Sequence, residues 1–156
     1  MPEPALPFAL HHVGFLVRDL ASAAQEFAER LGYVVQSLPI EDPIQTAEVQ
    51  FLRQPGSDSW LELVTARGDS SKLATALDKG GGLHHLCYEV PDILAACQHL
   101  REHGMLLLTD PVPAVAFGGR RIAWLMDRSR LLLELVEAGP GPLSLARVER
   151  HPEGQL

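Results

Sequence analysis

A nine-residue phrase is written twice in this chain. Residues 11–19 read HHVGFLVRD and residues 84–92 read HHLCYEVPD. Laying His12 on His85 also brings Asp19 onto Asp92, Ala23 onto Ala96 and Gln25 onto Gln98, all at an offset of 73, and six of the fifteen pairs from His11/His84 to Gln25/Gln98 are identical. Further on, WLELV at 60–64 falls on LLELV at 132–136 at an offset of 72. The chain is a tandem duplication. Such a repeat constrains the architecture more than any single motif, because each copy is one supersecondary unit that buries its apolar face against its twin.

Both halves carry the same order of elements. Alternation in HHVGFLV and LHHLCYEV predicts strands with one apolar face, Val13, Phe15 and Val17 in the first and Leu86, Tyr88 and Val90 in the second. Asp19 and Asp92 then cap helices, with a stripe of Leu20, Ala24, Phe27, Ala28 and Leu31 before Gly32, and of Ile93, Ala96, Cys97 and Leu100 before Gly104. Three strands follow each glycine, at 33–37, 46–53 and 59–65 and again at 105–109, 120–126 and 130–137. The fold class is therefore α+β: tandem βαβββ modules, at 9–66 and 83–138, forming a curved mixed sheet around a central metal cavity. Residues 67–82 form a connector with a short helix suggested by Leu73 and Leu77, and the Gly- and Pro-rich stretch 139–156 is expected to be a flexible tail.

Strand parity says what lines the inner face. If Val13, Phe15 and Val17 pack under the helix, His12 points the other way; by the same rule so do His85, Glu62 and Glu134. His12 to Glu62 spans 50 residues and His85 to Glu134 spans 49, so each half supplies one His and one Glu at equivalent points. Carboxylates gathered on an apolar sheet repel unless protonated or bound to a cation, and imidazole with carboxylate suits divalent first-row metals. His12, Glu62, His85 and Glu134 are thus the expected ligands of a divalent ion, with Co, Ni, Zn and Mn all compatible.

On these residues the sequence resembles the vicinal oxygen chelate (glyoxalase/bleomycin resistance/dioxygenase) superfamily, across roughly residues 9–138. HHVGFLVRDLASAAQEFAERLGY is similar to its opening strand and helix, GGLHHLCYEV to its third-ligand strand and LLLELVE to its last. Within the superfamily the pattern is most similar to methylmalonyl-CoA epimerase. That resemblance implies that Glu48, in DPIQTAEVQF, is a proton-transferring base opposite Glu134, which would serve both as ligand and as catalyst. Parity puts Glu48 on the face of Gln50, and both are expected to meet the substrate in the cavity. Arg120 stands 14 residues before Glu134 as Glu48 stands 14 before Glu62, which makes it a candidate grip for a substrate oxygen. Glu62 stands where the epimerases carry Gln. The His-Glu-His-Glu set is familiar from bacterial glyoxalase I, so a glyoxalase-like lyase and a non-catalytic binding protein of the same fold stay as alternatives.

With a metal-dependent isomerase or lyase go a small acyl-CoA or glutathione thioester as substrate and a homodimer as the expected assembly. Nucleic acid is not an expected partner, since the net charge is -7 and the 13 Lys and Arg residues form no stripe. No apolar run approaches a membrane span, and a cytoplasmic location is expected. Cys87 and Cys97 form no CxxC pair and are expected to be reduced, buried thiols.

Overall fold

The two His-bearing strands lie side by side at the middle of the sheet in the computed structural model, which describes residues 6–138; the tail expected at 139–156 lies outside them. Strand β1 (Ala9–Leu16) runs antiparallel to β6 (Gly82–Val90), so the two halves of the duplication are joined through equivalent strands. The first half continues with α1 (Leu20–Leu31), β2 (Val34–Val35), β3 (Ile40–Asp42), β4 (Ala47–Arg53) and β5 (Trp60–Ala66). After α2 (Ala74–Asp78) and β6, the second half adds α3 (Ile93–Glu102), β7 (Leu106–Pro113), a 3-10 turn at Val115–Phe117, β8 (Arg121–Met126) and β9 (Leu132–Glu137). All nine strands of the described residues form one mixed sheet of order β2-β4-β5-β1-β6-β9-β8-β7, with β3 hairpinned onto β4. Pairing of β1 with β5 and of β6 with β9 is parallel, and each half repeats the other's topology.

Local chemistry accounts for the helices. Asp19 Oδ1 accepts from Ser22 N at 2.7 Å and Asp92 Oδ1 from Ala95 N at 3.0 Å, closing the first turn of α1 and α3. Gly32 ends α1 with φ 72°, a left-handed conformation that favours glycine. Helix α1 covers Leu52, Leu61 and Leu63 with Leu20, Ala23 and Ala24, joined by Phe15 and Val17 of the opening strand segment. Helix α3 covers Leu125, Leu133 and Leu135 with Ile93, Ala96 and Cys97. The expected stripe of α1 is too long: Ala28 is exposed and Leu31 is 56% exposed, because the sheet ends beneath Phe27 and Ala24. Strand β3, not foreseen, forms because Asp42 Oδ1 accepts from Ile44 N and Gln45 N and turns the chain back onto β4.

The third cluster lies on the opposite side of the sheet from α1 and α3. There Leu16, Val49, Phe51, Val64, Cys87, Ile122 and Val136 pack beneath Ala116 and Phe117 of the 3-10 turn. This concave side is only partly filled and leaves a cavity of about 320 Å³.

Candidate functional site

His12 and His85 come from the central strands, and Glu62 and Glu134 from the strands on either side, in the order β5-β1-β6-β9. All four side chains emerge on the concave face and all are buried, His12 at 0% and His85 at 2% exposure. His12 Nε2 lies 3.0 Å from His85 Nε2, 3.6 Å from Glu62 Oε2 and 3.6 Å from Glu134 Oε1; His85 Nε2 lies 3.5 Å from Glu62 Oε1. His12, Glu62 and His85 each offer a donor within 4.8 Å of the other two, and Glu134 approaches from the His12 side, outside that tighter trio. Donors bound about 2.1 Å from one ion sit roughly 3.0 to 3.4 Å apart, close to these spacings.

Burial dominates the electrostatics. It holds the imidazoles of His12 and His85 well below their usual range, helped by the neighbouring His85 and His11 for the first and His84 for the second. It drives the Glu62 carboxyl well above its usual range, reinforced by the charges of Glu134 and Asp42. Glu134 is pushed up to about 8 by burial, an effect that the Cys87 thiol opposes by donating to the carboxylate and Asp42 supports. Glu134 Oε1 nevertheless finds no hydrogen-bond partner among the described residues. A buried carboxylate oxygen without a donor, facing the His12 Nε2 that favours the neutral form, belongs to a ligand set suited to a divalent cation. A second trio, His11, His12 and Cys87, is also close enough to hold an ion, but its His nitrogens already meet at 2.7 Å and burial raises the thiol pKa well above its usual range.

The cavity opens over this cluster. Glu62, His85 and Glu134 are in its wall with Val49, Val64, Ile122 and Trp124, and its polar rim includes Asp42, Gln45, Lys72, His84 and Thr109. Phe117 stacks on the His12 ring at 5.9 Å, which seals that side from water.

The other sequence-predicted residues are not brought to the cavity. Glu48 and Gln50 do share a face, but it is the helix side of β4, because Val49 and Phe51 point to the concave side, paired across the sheet with Val64 and Glu62. Glu48 instead meets Arg67, Oε2 to Nη1 3.4 Å, and Gln50 donates to Ser37 O at 3.0 Å. Arg120 is not among the cavity-lining residues either; it follows the 3-10 turn, and its charge adds to the larger effect of burial in lowering the pKa of His11. Parity was read correctly for β4, but the concave face was assigned to the wrong set. Exchanging Glu48 for Gln is accordingly expected to change turnover less than about threefold, as for a surface pair that contributes 0–1 kcal/mol. Steady-state kinetics of the variant check this, and a loss approaching a hundredfold would return Glu48 to the site.

Two residues that the sequence had not singled out matter here. Asp42 is 6% exposed, lines the cavity and is anchored by its two backbone N–H bonds. Gly14 pairs with His85, and a Cβ built on it would lie 2.0 Å from the imidazole Cε1. A glycine inside an alternating strand was the available signal, since it often marks close approach.

A duplicated βαβββ sheet with paired His and Glu on its concave face defines a class of single-sheet α+β proteins. The chain belongs to the glyoxalase/bleomycin resistance protein/dioxygenase superfamily, whose pattern it matches over residues 11–124. Among its relatives is an ethylmalonyl-CoA/methylmalonyl-CoA epimerase of Cereibacter sphaeroides, 36% identical over 81% of this chain and 95% of that one. The mitochondrial methylmalonyl-CoA epimerase of Homo sapiens is 32% identical over 83% of this chain and 73% of its own. The crystal structure of methylmalonyl-CoA epimerase from Mycobacterium tuberculosis superposes with a TM-score of 0.76 at 30% identity, covering 90% of this chain and 93% of that chain. The similarity supports an enzyme of the isomerase class. Among the described residues no helix is long and apolar enough to cross a membrane.

Proposed function

We propose that this protein is a divalent-metal-dependent epimerase of a 2-substituted malonyl-CoA thioester, methylmalonyl-CoA first among them, with His12, Glu62, His85 and Glu134 as the metal ligands. The observation that carries it is the buried His-Glu-His-Glu cluster, three of whose members line a cavity of about 320 Å³. Its support also includes the relatives named methylmalonyl-CoA epimerase. A bound divalent ion supplies Lewis acidity, which lowers the pKa of the hydrogen alpha to a coordinated carbonyl.

The chain's own residues then divide the proton transfer. Epimerisation removes the α-hydrogen from one face of the carbon and returns one to the other, so it needs two proton carriers. With Glu48 directed away, the carboxylates that flank the cluster from β5 and β9 are Glu62 and Glu134. One takes the proton on an Oε and the other delivers its own. Without metal, burial raises the pKa of each, to about 8 for Glu134, and a bound cation opposes that shift. The apolar wall from Val49, Val64 and Ile122 keeps water from the carbanionic centre. Lys72, the cation among the lining residues, is placed to pair with a free substrate carboxylate at the rim.

The test is metal analysis of the purified protein followed by incubation with one epimer of methylmalonyl-CoA in deuterated water. The expected result is about one divalent ion per chain, with inversion and α-deuteration of the product. Inertness of the metal-loaded protein toward acyl-CoA would overturn the proposal. Turnover only of the glutathione hemithioacetal of methylglyoxal would replace it with the lyase.

The protonation states give a second check. In the fold Glu134 holds its proton up to about 8, whereas an unfolded carboxyl releases it near 4.5, so this contribution to stability is present below 4.5 and drains away as pH rises through 8. The histidines work in the opposite sense: their folded values lie below 6.5, so their contribution is present above 6.5 and is lost as pH falls. Above pH 6.5 only the carboxyls remain. The Tm of chelator-treated protein should therefore fall between about pH 6.5 and 8, and added Co2+ or Zn2+ should restore it by binding the ionised carboxylates of the native state. A Tm that is flat or rising across this window without metal would contradict the protonated carboxyls.

A further inference from the structure

The duplicated phrase contains two histidines, and the metal cluster uses only the second of each pair. By strict alternation His11 and His84 would point to the helix side of the sheet. They do not, because each is the extra residue of a β-bulge. Along β1 the pairing steps from Leu10↔Tyr88 to His12↔Cys87 and skips His11; along β6 it steps from Gly14↔His85 to Phe15↔Leu83 and skips His84. His11 and His84 are themselves 73 apart, so the two bulges are copies of one another. A bulge re-aims a side chain, and these two aim the same side chain at equivalent targets.

His11 Nδ1 lies 2.7 Å from His12 Nδ1 with the rings at 82°, and His84 Nδ1 lies 2.8 Å from His85 Nδ1 with the rings at 87°. Each contact must contain one proton, since two lone pairs at that distance repel and two N–H groups clash. The Nε2 atoms of His12 and His85 face one another at 3.0 Å and face the Glu carboxylates. If both are to present lone pairs there, both must carry the hydrogen on Nδ1.

We infer that His11 and His84 are positioning residues: each accepts the Nδ1–H of the following histidine, which fixes the ring and leaves its Nε2 lone pair aimed at the metal site. This assigns a role to the first histidine of each copy and to the bulges that carry them. An acceptor at Nδ1 selects the tautomer and makes Nε2 the more basic ligand. The two copies then differ in one respect: His84 also lines the cavity and touches the substrate's space, whereas His11 is packed against Trp60 and Phe117. The inference rests on the metal reading above for its purpose but not for its hydrogen-bond geometry.

The experiment combines imidazole 15N–1H spectra of the full chain, metal-free and Zn2+-loaded, with Co2+ affinities of variants. In the Zn2+ form the spectra should show His12 and His85 protonated on Nδ1 and His11 and His84 on Nε2 only; without metal the 3.0 Å Nε2–Nε2 contact must itself contain one proton, so one of the two pairs should reverse. His11→Phe and His84→Phe, which keep the ring without an acceptor, should each weaken Co2+ binding by about 10- to 100-fold, the usual effect of losing such a partner. His11→Asn and His84→Asn, whose Oδ1 can take the place of Nδ1, should recover most of that loss, which a packing role alone would not produce. His84→Phe should in addition raise KM for acyl-CoA, and His11→Phe should not. Phe variants with wild-type Co2+ affinity, or His11 or His84 found protonated on Nδ1 in the Zn2+ form, would overturn the assignment. Should the Phe variants fail to fold, the wild-type spectra still decide. A chain that binds no divalent ion would sink the proposed function, while the metal-free spectra would continue to report on the hydrogen bonds.

Discussion

Glu134→Gln and Glu62→Gln should each lower epimerisation by on the order of a hundredfold or more, because each removes one of two proton carriers from opposite sides of the reacting carbon. Both positions are buried, at 3% and 5% exposure, so neither loss can be made up by a carboxylate reaching in from solvent. Gln keeps an oxygen donor, and metal content should fall less than the rate does. What separates this scheme from a single-base one is hydrogen exchange. In deuterated water each variant should still exchange the α-hydrogen of the epimer presented to its remaining Glu while failing to invert it. The other epimer should be inert. The two variants should choose opposite epimers. If both exchange the same epimer, or if inversion survives in either, the carboxylates flanking the cluster are not the carriers.

Gly14→Ala should cost about a hundredfold or more in metal affinity, and activity with it, although the change adds only one methyl group and removes no ligand. Gly14 has no side chain because the His85 imidazole occupies that space: a Cβ would stand 2.0 Å from Cε1, 2.2 Å from Nδ1 and 2.5 Å from Nε2. The ring must move, and its movement breaks both the 2.8 Å contact with His84 and the 3.0 Å approach to His12. Overpacking of this kind costs about 1–3 kcal/mol of stability, so the variant should still fold. Near-UV circular dichroism and a Co2+ titration check the two halves of the expectation. A folded Ala variant with wild-type Co2+ affinity would mean that His85 is not held over Gly14.

The pair of positions Gly14 and Cys87 illustrates how far the duplication reaches. They are 73 apart, and each stands opposite the other copy's ligand histidine across the β1–β6 pairing, Gly14 beside His85 and Cys87 beside His12. The larger residue is tolerated on the His12 side, where the Cys87 thiol also donates to Glu134. Cys87 is buried as expected, but it does more than fill space.

By itself the sequence determined the duplication, the Asp-capped helices, the strands of each half other than β3 and the inward placement of His12, Glu62, His85 and Glu134. Each of these follows from local periodicity or from the spacing of the repeat, and both survive compression into one dimension. Tertiary structure decided which of two alternating faces of β4 looks into the cavity. Parity makes Glu48 and Gln50 companions, but only the pairing of Val49 with Val64 and of Phe51 with Glu62 shows that their face lies under the helices. It also decided what the first histidine of each phrase does. A bulge is a mismatch in count between two strands distant in sequence, and no single strand records it; His11 and His84 turn toward the ligands only because β1 and β6 each have one residue more than the partner can pair.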